Sequence, residues 1–175
     1  MAPLSTAGVC QGGRFRLHWT QPWPVVVIAD ETGLISVDLD AGSDEAGEPE
    51  NGLPVNAEDH YPVWLREFRN ALPAYCNNGR PLPFFPVRWA RIGSLFQRRA
   101  LFWVSLIPHG ETASYAEIAA WMGCPGAARA VGGAMRANPF PLVIPCHRVI
   151  GASGRLVGFG GGLTLKQTLL NLETG

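Results

Sequence analysis

The run SYAEIAAWMGCPGAARAVGGAMRAN, residues 114–138, decides how the second half of this 175-residue chain folds. Ser114-Tyr115-Ala116-Glu117 has the S-x-x-E form of a capping box and predicts a helix from about Tyr115 to Met122. Gly123, Pro125 and Gly126 then turn the chain, and AARAVGGAMRAN predicts a further helix that Pro139 halts. Helix, glycine turn and small-residue helix make a helix-turn-helix pattern, which buried helical hairpins share. The second helix carries little bulk at Ala127, Ala128, Ala130, Gly132, Gly133, Ala134 and Ala137, and it places Arg129 and Arg136 two turns apart. Two in-helix glycines each cost about 1 kcal/mol relative to Ala. Either tight helix packing or close approach to a nucleic-acid groove has to offset that cost, and at this level both stand.

Upstream, SLFQRRALFWVSLI, residues 94–107, repeats apolar side chains at helical spacing and ends at Pro108 and Gly110. The first third reads as strands. Phe15 to Thr20 is one, and Val25–Ala29 followed by Ile35–Leu39 across Asp30-Glu31-Thr32-Gly33 forms a β-hairpin. Ala41 to Asp59 is acidic and rich in Gly and Pro, the composition of a long surface loop. YPVWLREFRNAL then predicts a short amphipathic helix through Trp64, Leu65, Phe68 and Leu72, and NNGRPLPFFP is irregular. The layout divides the chain into an N-terminal domain, 1–92, and a C-terminal domain, 93–175.

With 47% hydrophobic and 16% charged residues, the chain is neither disordered nor fibrous. Its net charge of zero is a cancellation. Residues 1–60 hold two basic side chains against ten acidic ones, net −8, and residues 61–175 hold twelve against four, net +8. That asymmetry allows a polyanion to be met by the later half. The longest apolar stretches, such as Val25 to Ala29, are far too short to span a bilayer, and no secretory leader is visible. The expectation is a soluble, cytoplasmic protein. Cys10, His18, His60 and Cys76 have no recognisable ligand spacing, so neither a metal nor a cofactor is expected. Cys124, in the turn between the two helices, reads as a small packing residue.

Pro145-Cys146-His147-Arg148 sets a thiol beside an imidazole and a guanidinium. A free thiol, with a pKa of about 8.5, is only a few per cent thiolate at pH 7, and a neighbouring base or cation raises that fraction. On a regular strand Cys146 and His147 would point to opposite faces, so cooperation requires the backbone to turn or a water to bridge them. Pro145 makes a turn plausible.

The stretch IPCHRVI, together with FQRRALFWVSLIPHGETASYAEIA, PGAARAVGGAMRANP and GFGGGL in the same order and spacing, resembles the O6-alkylguanine-DNA alkyltransferases, or methylated-DNA-protein-cysteine methyltransferases. The resemblance covers residues 95–173; the first 90 residues share only size and a strand-then-helix layout. It implies an α+β fold, with a ribonuclease H-like sheet and helix at the N-terminus and a winged-helix-like domain with a helix-turn-helix at the C-terminus.

It further implies repair of double-stranded DNA by irreversible transfer of an alkyl group from O6 of guanine to Cys146, after the nucleotide flips out. In that reading His147 activates the thiol through a water and Glu173 orients His147. Asn138 links the recognition helix to the cysteine turn. Arg129 enters the base stack, with Ala128, Ala130 and Arg136 at the DNA. Tyr115 rotates the phosphate and protonates guanine N3. Met135, Val149, Phe159 and Gly160 hold the base. Gly160 stands where many relatives place a hydroxyl residue and Phe159 where many have Tyr, which leaves alkyl size open. The implied protein works as a monomer. A non-catalytic alkylguanine-binding protein is the first alternative, and the presence of Cys146 speaks against it. A Cys-His hydrolase is the second, and no oxyanion-hole motif supports it.

Overall fold

The computed structural model describes residues 7–10, 14–19, 22–39 and 61–175, with backbone alone for 7–10. The expected acidic loop at 41–59 lies outside the described residues, as do His60 and the side chain of Cys10. The fold is mixed α+β and divides into two compact units, Met1–Arg88 and Trp89–Gly175.

In the first unit, β1 (Ala7–Cys10), β2 (Arg14–Trp19), β3 (Val25–Asp30) and β4 (Gly33–Asp38) form an antiparallel sheet in chain order. Phe15 opposite Ala29, Leu17 opposite Val27 and Trp19 opposite Val25 are all buried, so one alternating set of side chains makes the inner face. The β3–β4 turn is tied by Asp30 Oδ1, which accepts from Thr32 N–H at 2.8 Å and from the Thr32 hydroxyl at 2.7 Å. Gly33 follows with φ 155°, and a Cβ there would meet the Pro86 carbonyl oxygen at 2.9 Å. That close approach lets residues 86–88 return alongside β4, with Leu34 N–H donating to Pro86 O and Arg88 N–H to Leu34 O, both at 2.9 Å.

Helix α1 (Val63–Asn78) runs longer than the pattern YPVWLREFRNAL predicts. Tyr75 and Cys76 continue the buried stripe of Leu65, Phe68 and Leu72 past Pro73, and Gly79, left-handed at φ 63°, ends the helix. Phe68 meets Phe85 edge to face with ring centroids 4.8 Å apart, so the return segment shares the helix's apolar face.

In the second unit, α2 (Leu95–Ser105) starts at Ser94, whose hydroxyl accepts from Gln97 N–H. Helix α3 (Tyr115–Trp121) starts with the capping box the sequence predicts: Ser114 Oγ accepts from Glu117 N–H at 3.1 Å, and Glu117 accepts from Ser114 N–H at 2.7 Å. Helix α4 (Ala128–Arg136) follows the glycine turn, and α5 (Gly162–Thr174) closes the chain. Leu101, Val104, Ile118, Val131, Phe140, Ile144, Val149 and Leu169 form the core among them. Between α4 and α5, Cys146–Arg148 is a single 3-10 turn leading into β6 (Val149–Ile150), which pairs in parallel with β5 (Ala113–Ser114). This pairing fixes the Cys146 turn next to the start of α3.

Among the described residues, no helix is long and apolar enough to cross a membrane, and no group of three or more His, Cys, Asp or Glu side chains could hold a metal ion.

Candidate active site

The 3-10 turn removes the strand geometry that would have pointed Cys146 and His147 to opposite faces of a sheet. Leu142, held at φ 70°, bends the approach, and Cys146 N–H donates to Ile144 O at 2.8 Å. Asn138, just beyond α4, ties this loop together. Its Oδ1 accepts from Phe140 N–H at 3.0 Å, while its Nδ2 donates to Ile144 O at 2.8 Å and to Cys146 Sγ at 3.2 Å. The helix-turn-helix and the thiol are therefore joined by one amide side chain.

Cys146 opens onto a cavity of about 880 Å³. Tyr115, Ala128, Arg129, Gly132, Gly133, Met135, Arg136, Phe159 and Gly160 line it, so most of the DNA and base-pocket residues suggested by the sequence come together there. Ala130 is exposed but is not a wall of this cavity, and Val149 is buried behind it. Arg98 and Arg99 line a separate hollow of about 450 Å³ with Trp89, Phe102 and Trp103.

The glycines of α4 can now be explained. A Cβ on Gly132 would come no closer than 3.8 Å to the Tyr115 ring, and one on Gly133 would meet nothing within 4 Å. Packing within the described residues therefore does not require either glycine. Both instead keep bulk out of the cavity wall.

Behind the thiol lies a buried charge network. His147, fully buried, donates Nε2–H to Glu173 Oε1 at 2.8 Å, which makes Nδ1 the basic nitrogen of the ring. Arg148 grips the same carboxylate with Nε to Oε2 at 2.7 Å and Nη2 to Oε1 at 2.9 Å, and it anchors Nη1 on Ile107 O at 2.7 Å. Burial pushes the Glu173 carboxyl up, but the hydrogen bonds and charges of His147 and Arg148 outweigh it and hold the group well below the usual carboxylate range. His147 is pushed below the ordinary imidazole range by burial, against the pull of Glu173, so its resting form is neutral. Burial likewise pushes the Cys146 thiol up, opposed by the Asn138 hydrogen bond and the positive charge of Lys166. A thiol resting in its protonated form needs a base to become a nucleophile, and His147, neutral, is its neighbour in the chain.

Lys166, also fully buried, donates to Val149 O at 2.6 Å and to Val157 O at 3.0 Å. The Tyr115 hydroxyl donates to the same Val157 carbonyl at 3.1 Å. These two donors hold the Gly158–Gly160 side of the cavity to α3 and α5. Reading the sequence for motifs notes Arg148 only as a cation beside the thiol, not as a partner of Glu173, and misses Lys166 and His109. A signal existed for Lys166, since with Leu169 and Glu173 it falls at i, i+3 and i+7 on one face of α5.

Residues 95–175 match the family model described as 6-O-methylguanine DNA methyltransferase, DNA binding domain. A methylated-DNA-protein-cysteine methyltransferase of Methanosarcina acetivorans is 39% identical over 150 residues, covering 86% of this chain and 91% of that protein. The chain belongs to the methylated-DNA-protein-cysteine methyltransferase family. A family member from Mycolicibacterium paratuberculosis is 64% identical over 81 residues, 46% of this chain and 49% of its own, so the chain spans about half the length of that relative in the match. The crystal structure of Mycobacterium tuberculosis OGT in complex with DNA is similar at 35% identity and a TM-score of 0.68, covering 86% of each chain.

Proposed function

We propose that this family member repairs double-stranded DNA by transferring an alkyl group from O6 of guanine to Cys146, once per molecule. The observation that carries the reading is the placement of Cys146 Sγ. It sits at a cavity whose helical wall is stripped of bulk, bonded to Asn138, with a neutral His147 backed by an ionised Glu173.

The chemistry balances as follows. His147, through a water, takes the thiol proton, and the sulfur lone pair attacks the alkyl carbon as the carbon–O6 bond breaks. The leaving electron pair stays on guanine, a proton from the Tyr115 hydroxyl to N3 neutralises it, and solvent returns a proton to Tyr115 as His147 releases the one it took, so that on balance the thiol proton ends on guanine. The thioether product has no good leaving group, so the protein is consumed. An in-line attack on a base inside the stack is blocked, so the nucleotide must rotate out at a cost of a few kcal/mol. Arg129 fills the vacated place, Arg136 and the backbone near Ala128 and Ala130 meet phosphates, and Met135, Phe159, Gly160 and the Val149 backbone hold the base.

The finer architecture belongs to the same proposal. The sheet, α1 and the parallel return at Val87 support a ribonuclease H-like domain over 1–92, and α2–α4 with the β5–β6 pair support a winged-helix-like domain over 93–175. The protein acts as a monomer, in the cytoplasm.

The test is incubation with a duplex containing O6-methylguanine followed by peptide mass analysis. One added methyl on the Cys146 peptide is expected, and its absence sinks the reading. Cys146→Ser should retain DNA binding and transfer nothing.

A further inference from the structure

His109 lies in the turn after α2, half-buried, and takes no part in the mechanism above. Its Nδ1 is 3.4 Å from Arg148 Nη2 and 3.8 Å from Glu173 Oε1. Three of the five N–H groups of that guanidinium are already directed: Nε to Glu173 Oε2, Nη1 to Ile107 O, and one N–H of Nη2 to Glu173 Oε1. A guanidinium is planar and rigid, so an acceptor for the second N–H of Nη2 helps to hold the plane in which it grips the carboxylate. Only a neutral imidazole with its proton on Nε2 can accept there.

We infer that His109 is a positioning residue for the alkyl transfer, its neutral Nδ1 accepting from Arg148 Nη2 and so holding the guanidinium that orients Glu173 against His147. The inference rests on the reading of Cys146, His147 and Glu173 as the reacting set. Among the groups facing His109 are Arg148 from the 3-10 turn and Glu173 from α5. His147 lies beyond on the same carboxylate oxygen, and on the same loop Gly110 N–H donates to Glu173 Oε2 at 3.4 Å.

The experiment is single-turnover methyl transfer from an O6-methylguanine duplex at pH 7.5, using the full chain, His109→Phe and His109→Asn. Asparagine places an acceptor at the δ position; phenylalanine removes it. The Phe variant should be about three- to tenfold slower, the range of one net hydrogen bond, and the Asn variant, which restores the acceptor, within about twofold of the unaltered protein. Equal rates for the Phe variant and the unaltered protein would overturn the inference. So would an Asn variant as slow as Phe. If the Phe variant fails to fold, the Asn comparison decides alone: a rate within about twofold supports the inference, and a loss of about threefold or more overturns it. Absence of Cys146 methylation in the unaltered protein would instead overturn the function proposed above, and the role of His109 with it.

Discussion

Glu173 Oε1 lies 2.8 Å from His147 Nε2, which ties the last turn of α5 to the turn that carries Cys146. A carboxylate at a helix C-terminus opposes the helix dipole, and here the His147 and Arg148 donors offset that cost. Replacing Glu173 with Gln keeps the shape but leaves Arg148 without its counter-charge. The expected result is a loss of about 3 kcal/mol in stability by urea unfolding. Methyl transfer should slow about 100-fold or more, because His147 loses its fixed tautomer.

The same pair sets how stability responds to acid. Both groups have folded pKa values below their unfolded ones, so each stabilises the protein fully above its unfolded pKa and loses that contribution as pH falls toward the folded value. For His147 the loss begins near pH 6.5, and for Glu173 below about 4.3. Urea unfolding at pH 7.5, 5.5, 4.5 and 3 should show stability falling throughout, with the Glu173 loss added to the His147 loss only below about pH 4.5. The extra fall below about pH 4.5 should be smaller in Glu173→Gln. Constant stability from pH 7.5 to 5.5 would contradict the assignment of a buried, neutral His147.

Gly132 and Gly133 should separate stability from function. A methyl at either position meets no atom closer than 3.8 Å. Gly133→Ala should therefore raise stability by up to about 1 kcal/mol through helix propensity, with Gly132→Ala slightly less favourable against the Tyr115 ring. Both should weaken binding to duplex DNA, measured by fluorescence anisotropy, because the methyl stands on the cavity wall. A stabilised variant with unchanged DNA affinity would return α4 to the buried-hairpin reading.

How much of this was legible depended on how local each interaction is. The α3 capping box, the Asp30–Thr32 turn and the apolar stripes of α1 and α2 lie within a few residues, and the sequence displays them. The length of α1 was obscured because Pro73 ordinarily ends a helix, whereas the buried Tyr75 and Cys76 carry it on. The β5–β6 pair is two residues on each side, too short for alternation to register. At the site, the residue types of Pro145–Arg148 single out Cys146 and His147, whereas Asn138 and Glu173 come from motif resemblance. The grip of Arg148 on Glu173 and the bonds of Lys166 to the Val149 and Val157 carbonyls span 9 to 25 positions in sequence, and only folding brings them together.

Salt dependence tests which cations meet the DNA. Arg98 and Arg99 line a separate hollow, with Arg98 Nε bound to Ile92 O and Arg99 Nη2 to Met122 O. Arg129 and Arg136 remain at the cavity. The slope of log affinity against log salt should therefore be near −2, and Arg129→Ala should reduce its magnitude by about one. A slope of about −5 or steeper would require a wider cationic surface.

Lys166 offers the sharpest separation of thiol reactivity from DNA binding. Its ammonium is buried, bonded to two carbonyls, and close enough to Cys146 for each charge to favour the other. Lys166→Met keeps the volume and removes both the charge and the donors. The Val149 and Val157 carbonyls then lose a partner, which should cost about 1–3 kcal/mol. With the positive charge gone, only hydrogen bonds such as that from Asn138 oppose burial at the thiol, and its pKa should rise further. Alkylation of Cys146 by iodoacetamide at pH 7.5, with no DNA present, should slow relative to the unaltered protein, while affinity for undamaged duplex changes little because Lys166 is not a wall of the cavity. Unchanged thiol reactivity in a folded Lys166→Met variant would show that Asn138 and His147 suffice to set the ionisation of Cys146.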